Sequence, residues 1–263
     1  MPLFTVIHPT VPNPPAVNDR ITLLARAHSK LLAVLLDAVR PGMATADLAD
    51  VAREQAATLG IGLSFRTKMG FPDDISACIN TQAMNSVPNR NTLIKDGDIV
   101  KIAFGSTDGG GAFCVQNWSM QAGTILPARR ALLNDARDSL DDALAYCRPG
   151  IKVSELAARL ARSAAEKGFW LSTEFAGHMI GQEPVMPPSI VQPKGLFATG
   201  HALTEGTVLS LFVLAHAARP RLDRRDDGWT VVDRKHGMSA AYSHMVRVAA
   251  LPQLLTSPYR LHA

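Results

Sequence analysis

The chain has 263 residues, 47% hydrophobic and 19% charged, so it can bury a large core and is not a disordered polymer. Its net charge of +4 sits in short clusters such as Arg129-Arg130 and RPRLDRRDD at 219–227, and no basic stripe with interleaved aromatics points to nucleic acid. Cys78, Cys114 and Cys147 are scattered and form no C-x-x-C pair, which argues against a disulfide framework or structural zinc site and fits a reducing cytoplasm. Residues 1–18 are a proline-rich arm. They lack the basic start and continuous apolar stretch of a signal peptide. No apolar run is long enough to span a membrane. Ile21, Leu24, Leu31, Leu32 and Leu35 recur three and four apart and predict a helix over 19–39, broken by RPGM. A second helix is expected over 46–59, with Thr45 as N-cap and Gly60 as stop. The segment GDIVKIAFGSTDGGGAFCVQNWSM at 97–120 predicts two strands joined by a glycine turn. The Gly109–Gly111 run lies in that turn with no helix after it, so a turn is favoured over a phosphate cradle.

The pattern then restarts. Pro127 opens a helix to Cys147, RPGI breaks it, and Ser154 is placed as the cap of a helix ending at Gly168. RPGMATADLADVAREQAATLGI at 40–61 and RPGIKVSELAARLARSAAEKGF at 148–169 share Arg-Pro-Gly, Leu-Ala, Ala-Ala and Gly in register, which indicates a duplicated half. Strands are expected over 208–215, 229–232 and 240–249. The expected architecture is one α+β domain over 19–255. Its pseudo-symmetric helix–helix–strand halves, 19–125 and 126–255, place helices on one face of a curved antiparallel sheet.

CINTQAMNSVPNRNTLIKDGDIVKIAFG, FAGHMIGQEP and DGWTVVDRKHGMSAAYSHMVRV resemble, in order and with similar spacing, three segments of the methionine aminopeptidases. The resemblance runs from about residue 19 to 250 and implies the pita-bread fold of the creatinase superfamily. It also implies a centre of two divalent ions held by two aspartates, one histidine and two glutamates. Here the first aspartate falls on Ala103 and the second on Cys114 or Val115. The histidine is kept as His178, and the glutamates fall on Phe212 and Ser243. A further family histidine falls on Asn85. Four of the five ligand positions therefore lack their donor. Divalent ions need several converging oxygen or nitrogen donors, so the expectation is no metal and no cofactor. An alternative ligand set drawn from His201, His216, His236, Glu205 and Asp233 has no metal-like spacing.

His178 and His244 are the candidate catalytic acid and base, because imidazole titrates near neutral pH. Candidate substrate-binding residues are Phe71, Asn85, Cys114, Asn117, Trp118, Phe212, Trp229 and Ser243; Phe71 and Trp229 match positions lining the family's methionine pocket. Cys114 is favoured as a small core residue over a nucleophile. Ser243 and His244 are strand neighbours that point to opposite faces, so they form no triad. The favoured expectation is a non-peptidase enzyme running metal-independent proton-transfer chemistry, of lyase, isomerase, dehydratase or cyclase type, on a small and partly apolar metabolite. A non-catalytic relative that binds a peptide or metabolite is second, and a metal-dependent methionine aminopeptidase is third. The ligand is a small molecule or peptide, with no nucleic-acid or membrane partner; the sequence does not give the oligomeric state.

Overall fold

The computed structural model describes residues 10–124, 126–190 and 200–257. The N-terminal half runs α1 (Pro15–Ala38), α2 (Thr45–Thr58), β1 (Gly62–Leu63), α3 (Phe65–Met69), β2 (Ile75–Ile79), β3 (Gln82–Met84), β4 (Ile99–Thr107) and β5 (Phe113–Gln121). The C-terminal half runs α4 (Pro127–Leu144), α5 (Val153–Lys167), β6 (Trp170–Leu171), β7 (Gly177–Met179), β8 (Met186–Ile190), β9 (Val208–His216), β10 (Leu222–Arg224), β11 (Val231–Asp233), β12 (Ser239–Arg247) and β13 (Gln253–Leu254).

Most boundaries follow the sequence signals, and the departures have local causes. Pro15 at the first position of α1 needs no N–H partner there, so the helix opens inside the expected arm. What precedes it is pinned to the C-terminal half: Thr10 N–H donates to the Ala202 carbonyl at 2.9 Å, and Asn13 Nδ2 to the Ile180 carbonyl at 3.0 Å. Residues 1–9 of the arm lie outside the described residues. Thr45 does not cap α2. Its hydroxyl donates to the Asn89 carbonyl, while the Asp47 carboxylate accepts the Ala44 N–H at 2.9 Å. Ser154 falls within the first turn of α5. Asp227 takes the amides of Trp229 and Thr230 at 2.8 Å each, so β11 starts only at Val231.

The two Arg-Pro-Gly turns make matching hydrogen bonds. Gly42 N–H donates to Ile94 O and Ile94 N–H to Met43 O, both at 2.8 Å; Gly150 N–H donates to Leu203 O and Leu203 N–H to Ile151 O, also at 2.8 Å. Both glycines have φ of 87°, a left-handed conformation that explains the paired Arg-Pro-Gly sequences.

β4 pairs β5 along its whole length and shares its other edge between β1 and β2. A six-stranded sheet has the order β13-β12-β9-β7-β8, with β6 also on β9, and β10-β11-β3 form a small third sheet. All strand pairings among the described residues are antiparallel. Leu209, Leu211, Val213, Ala240 and Tyr242 share one core with Leu140 of α4 and Leu156 of α5, so one face of β9 and β12 looks at the helices. Side chains alternate along a strand, so Phe212, Ser243 and their i±2 neighbours face the other way.

The two large sheets meet along β5 and β12. Ser119 Oγ donates to Ala241 O at 2.8 Å and accepts the Ala241 N–H at 2.7 Å. Tyr242 Oη donates to Ser119 O at 2.9 Å. The seam carries these side-chain bonds where a continuous backbone ladder would otherwise run.

Candidate functional site

β4, β5, β9 and β12 are nine residues long, and the fifth residue of each is Ala103, Asn117, Phe212 and Ser243. Ala103 lies opposite Ser76 on one side and Asn117 on the other, and Ser243 lies opposite Phe212. Asn117 N–H closes the row across the seam by donating to Ser243 Oγ at 2.8 Å. The middles of the β4–β5 and β9–β12 pairs thus lie together on one face. His178 joins them from β7, opposite Ser210 and so on the face of Phe212.

The register decides which of Cys114 and Val115 shares the face of Ala103. Val115 pairs Gly105 and stands diagonally beside Ala103 on the same face. Cys114 pairs Ser106 and points the other way, its Sγ 3.8 Å from the Ile21 carbonyl of α1. Burial raises its pKa far above neutrality, so it is neither a site residue nor a thiolate. Trp118 and His244 are likewise on the helix side, with ring centroids 5.1 Å apart. His244 is fully buried, its Nδ1 3.1 Å from Gln116 Nε2 and 3.0 Å from Thr256 Oγ1. Burial pulls its pKa down to about 4. The expected His178–His244 acid–base pair is therefore split by the sheet, for the reason already given for Ser243 and His244.

The remaining candidates lie near the row. Phe71 follows α3 and meets Trp229 edge to face at 5.2 Å. It shares an apolar cluster with Ala103, Val115 and Ile180. Asn85 follows β3 with left-handed backbone at φ 56°, next to Ser86, whose carbonyl accepts the Ser76 hydroxyl. The Ser243 hydroxyl is engaged by both the backbone and side-chain nitrogens of Asn117, at 2.8 and 3.4 Å. His178 Nδ1 lies 2.9 Å from the Met179 carbonyl. A carbonyl only accepts, so Nδ1 carries the proton and Nε2 keeps its lone pair. Burial lowers the pKa of His178, against the pull of that hydrogen bond, and this favours the neutral ring.

Lys101 is the residue that sequence reasoning passed over. It precedes Ala103 by two on the same face and is buried, with Nζ donating to Asn80 O at 2.8 Å and Ser239 O at 3.2 Å. Burial lowers its pKa to about 8, so at neutral pH it is a cation. Alternation with Ala103 was the available signal. Lys101→Met removes an ammonium that is costly to bury but leaves the Ser239 carbonyl without that donor. The expected net loss is about 1–3 kcal/mol, read from urea unfolding curves with unchanged slope.

A two-metal centre does not fit these residues. Ala103, Val115 and Phe212 offer no donor atom, and the Ser243 hydroxyl is engaged at the seam. Among the described residues no group of three or more His, Cys, Asp or Glu side chains is placed to hold a metal ion, which includes the alternative set around His201 and His216. Likewise, no helix among them is long and apolar enough to cross a membrane.

Residues 19–249 match the profile of metallopeptidase family M24. The methionine aminopeptidase of Aquifex aeolicus is 25% identical over 251 residues, covering 90% of this chain and 95% of that protein. That of Clostridium perfringens is 28% identical over 249 residues, covering 91% and 96%. The crystal structure of methionine aminopeptidase from Thermotoga maritima superposes with a TM-score of 0.87 at 20% identity, covering 96% of this chain and all of that one. The fold is the pita-bread fold, as the sequence resemblance implied. The comparisons overturn the expected function. Relatives across most of the chain are peptidases, which contradicts a non-peptidase lyase, isomerase, dehydratase or cyclase acting on a small metabolite. The separation of His178 from His244 removes the pair that such chemistry was assigned to.

Proposed function

Since the chain belongs to metallopeptidase family M24, we propose that it is a protein of methionine-aminopeptidase type in which the row of strand centres takes the N-terminal residue of a peptide. The observation that carries this reading is the aromatic corner of Phe71 and Trp229, joined to the apolar floor of Ala103 and Val115. A methionine side chain is flexible, apolar and polarisable, and it packs well against ring edges. His178 Nε2 accepts an N–H from the peptide backbone, and the Asn117 side chain offers an amide to pair with it. In the family that these relatives define, bound divalent ions would supply an activated water. The donor set here does not fit them, and no hydrolytic step through bound metal follows from it. Three free, buried thiols support a reducing compartment, the cytoplasm, as the site of action.

The test is calorimetric titration with a methionine-initiated tripeptide, supplied with a free or an acylated N-terminus, against the same peptide starting with aspartate. Saturable binding is expected for the methionine peptide in at least one form. Phe71→Ala and Trp229→Ala should each weaken it by about tenfold or more, the scale of one lost aromatic contact. Product analysis of the same mixtures shows whether the bound peptide is cut. The reading fails if neither form binds, or if binding ignores both the first residue and the two aromatic substitutions.

A further inference from the structure

A peptide N-terminus is usually an ammonium, and burying one requires an opposite charge or a full set of acceptors. The row offers neither. Ala103, Val115 and Phe212 are apolar, and Asn117, Ser243 and neutral His178 carry no negative charge. The nearest fixed charge on the row's own strand is the Lys101 ammonium. Strand geometry puts residues two apart about 6–7 Å from one another, so it stands about that far along the face from Ala103.

Of the acids on neighbouring elements, Asp98, Asp227 and Asp233 are engaged within the fold, and Glu174 and Glu183 are exposed. Asp98 accepts Asn80 Nδ2 at 2.6 Å and the Lys95 N–H at 2.8 Å. Asp233 accepts the N–H groups of Arg221, Lys235 and Gly237. Glu174 is exposed, and Glu183, also exposed, lies 3.7 Å from Lys68. Residues 1–9, 125, 191–199 and 258–263 contain no Asp or Glu side chain.

The polar groups that remain match an amide. The Asn117 side chain carries both a donor and an acceptor, and His178 Nε2 is an acceptor for a secondary amide N–H. Apolar Val115, Phe71 and Ile180 suit a small acyl group. We infer that the site selects methionine-initiated peptides whose N-terminus is blocked as a neutral secondary amide, an Nα-acyl peptide, over those with a free amine. The inference rests on the peptide reading above. It assigns the loss of four ligand positions a binding consequence: the remodelled face has exchanged charge recognition for amide recognition.

The experiment compares three peptides of one sequence, Met-Ala-Ser, with free, N-formyl and N-acetyl termini, by calorimetry on the full chain at neutral pH. At least a tenfold preference for one acylated form over the free amine is expected; which acyl group binds tighter identifies the source. Val115→Asp restores a carboxylate beside Ala103 and should shift the preference toward the free amine by at least tenfold. A thermal melt of the variant reports whether it has folded. Should it fail to fold, the comparison on the unsubstituted protein still decides. Free-amine peptide binding as tightly as the acylated forms overturns the inference and leaves the peptide reading standing. Absence of binding by all three overturns both.

Discussion

Between about pH 7.5 and about pH 5 the protein is expected to lose about 6 kcal/mol of stability, through three buried histidines rather than its carboxylates. His28 stacks on Phe104 at 4.3 Å, with Nδ1 2.7 Å from Ser106 Oγ, and burial lowers its pKa to about 3. His216 is lowered to about 4 by burial and by the Lys101 charge, with Asp233 opposing, and both its ring nitrogens are unpartnered. His244 is lowered to about 4 by burial, against its bond to Thr256. In the unfolded chain each has a pKa near 6.5. Below that value the unfolded state binds up to three more protons than the folded state, so stability falls as pH falls, and the loss levels off only near the folded values. Each histidine then costs about 1.4 kcal/mol per pH unit, or about 2 kcal/mol by pH 5. The total is comparable with the whole stability of a typical domain. Urea denaturation at several pH values should show a steep fall starting near pH 6.5, with the slope reduced by about a third in His216→Phe. A flat profile down to about pH 5 would mean that these rings are not buried as neutral groups.

Gly177→Ala is expected to cost about 3 kcal/mol and to dislodge His178. A methyl group at Gly177 would stand 2.6 Å from the Ser210 carbonyl oxygen and 3.2 Å from Phe212 N. Both are backbone atoms of a central strand, so no side-chain rotation relieves the contact. The one remaining escape is for β7 to lift from β9, which carries the next residue, His178, off the face of the row. Thermal melting should fall by about 6–12 °C. Binding of a methionine peptide should weaken together with stability, whereas Lys101→Met should lower stability without moving His178.

The hairpin at 97–120 was readable from its alternation and its glycine turn, and so was the replacement of acids on its inner face. The choice between Cys114 and Val115 was not. A one-residue shift in the turn exchanges the faces of a strand, and no local signal gives that shift. The turn is fixed by Asp108, whose carboxylate accepts the N–H groups of Gly110 and Ala112. His244 is placed by its neighbour Ser243, because strand alternation puts the two on opposite faces. Trp118 carries the same lesson beside Asn117. Lys101 was less legible. Lysine is rarely buried without partners, and one of its partners, Ser239 O, lies 138 residues away in sequence. The helices and the two matching turns were legible because 3.6-residue periodicity and the Arg-Pro-Gly sequences are local. The seam was not, because it is made by Ser119, Ala241 and Tyr242 across 122 and 123 residues.

The central claim is that the middles of the two hairpins form one peptide-binding face. Methyl NMR on the protein labelled at alanine, valine and methionine, titrated with N-formyl-Met-Ala-Ser, tests it most directly. Saturable shifts are predicted at Ala103, Val115 and Met245, which share the face of the row, with no change at Ala136 and Ala143 of α4 on the helix side. Saturable shifts at α4, with Ala103 and Val115 unmoved, would contradict it.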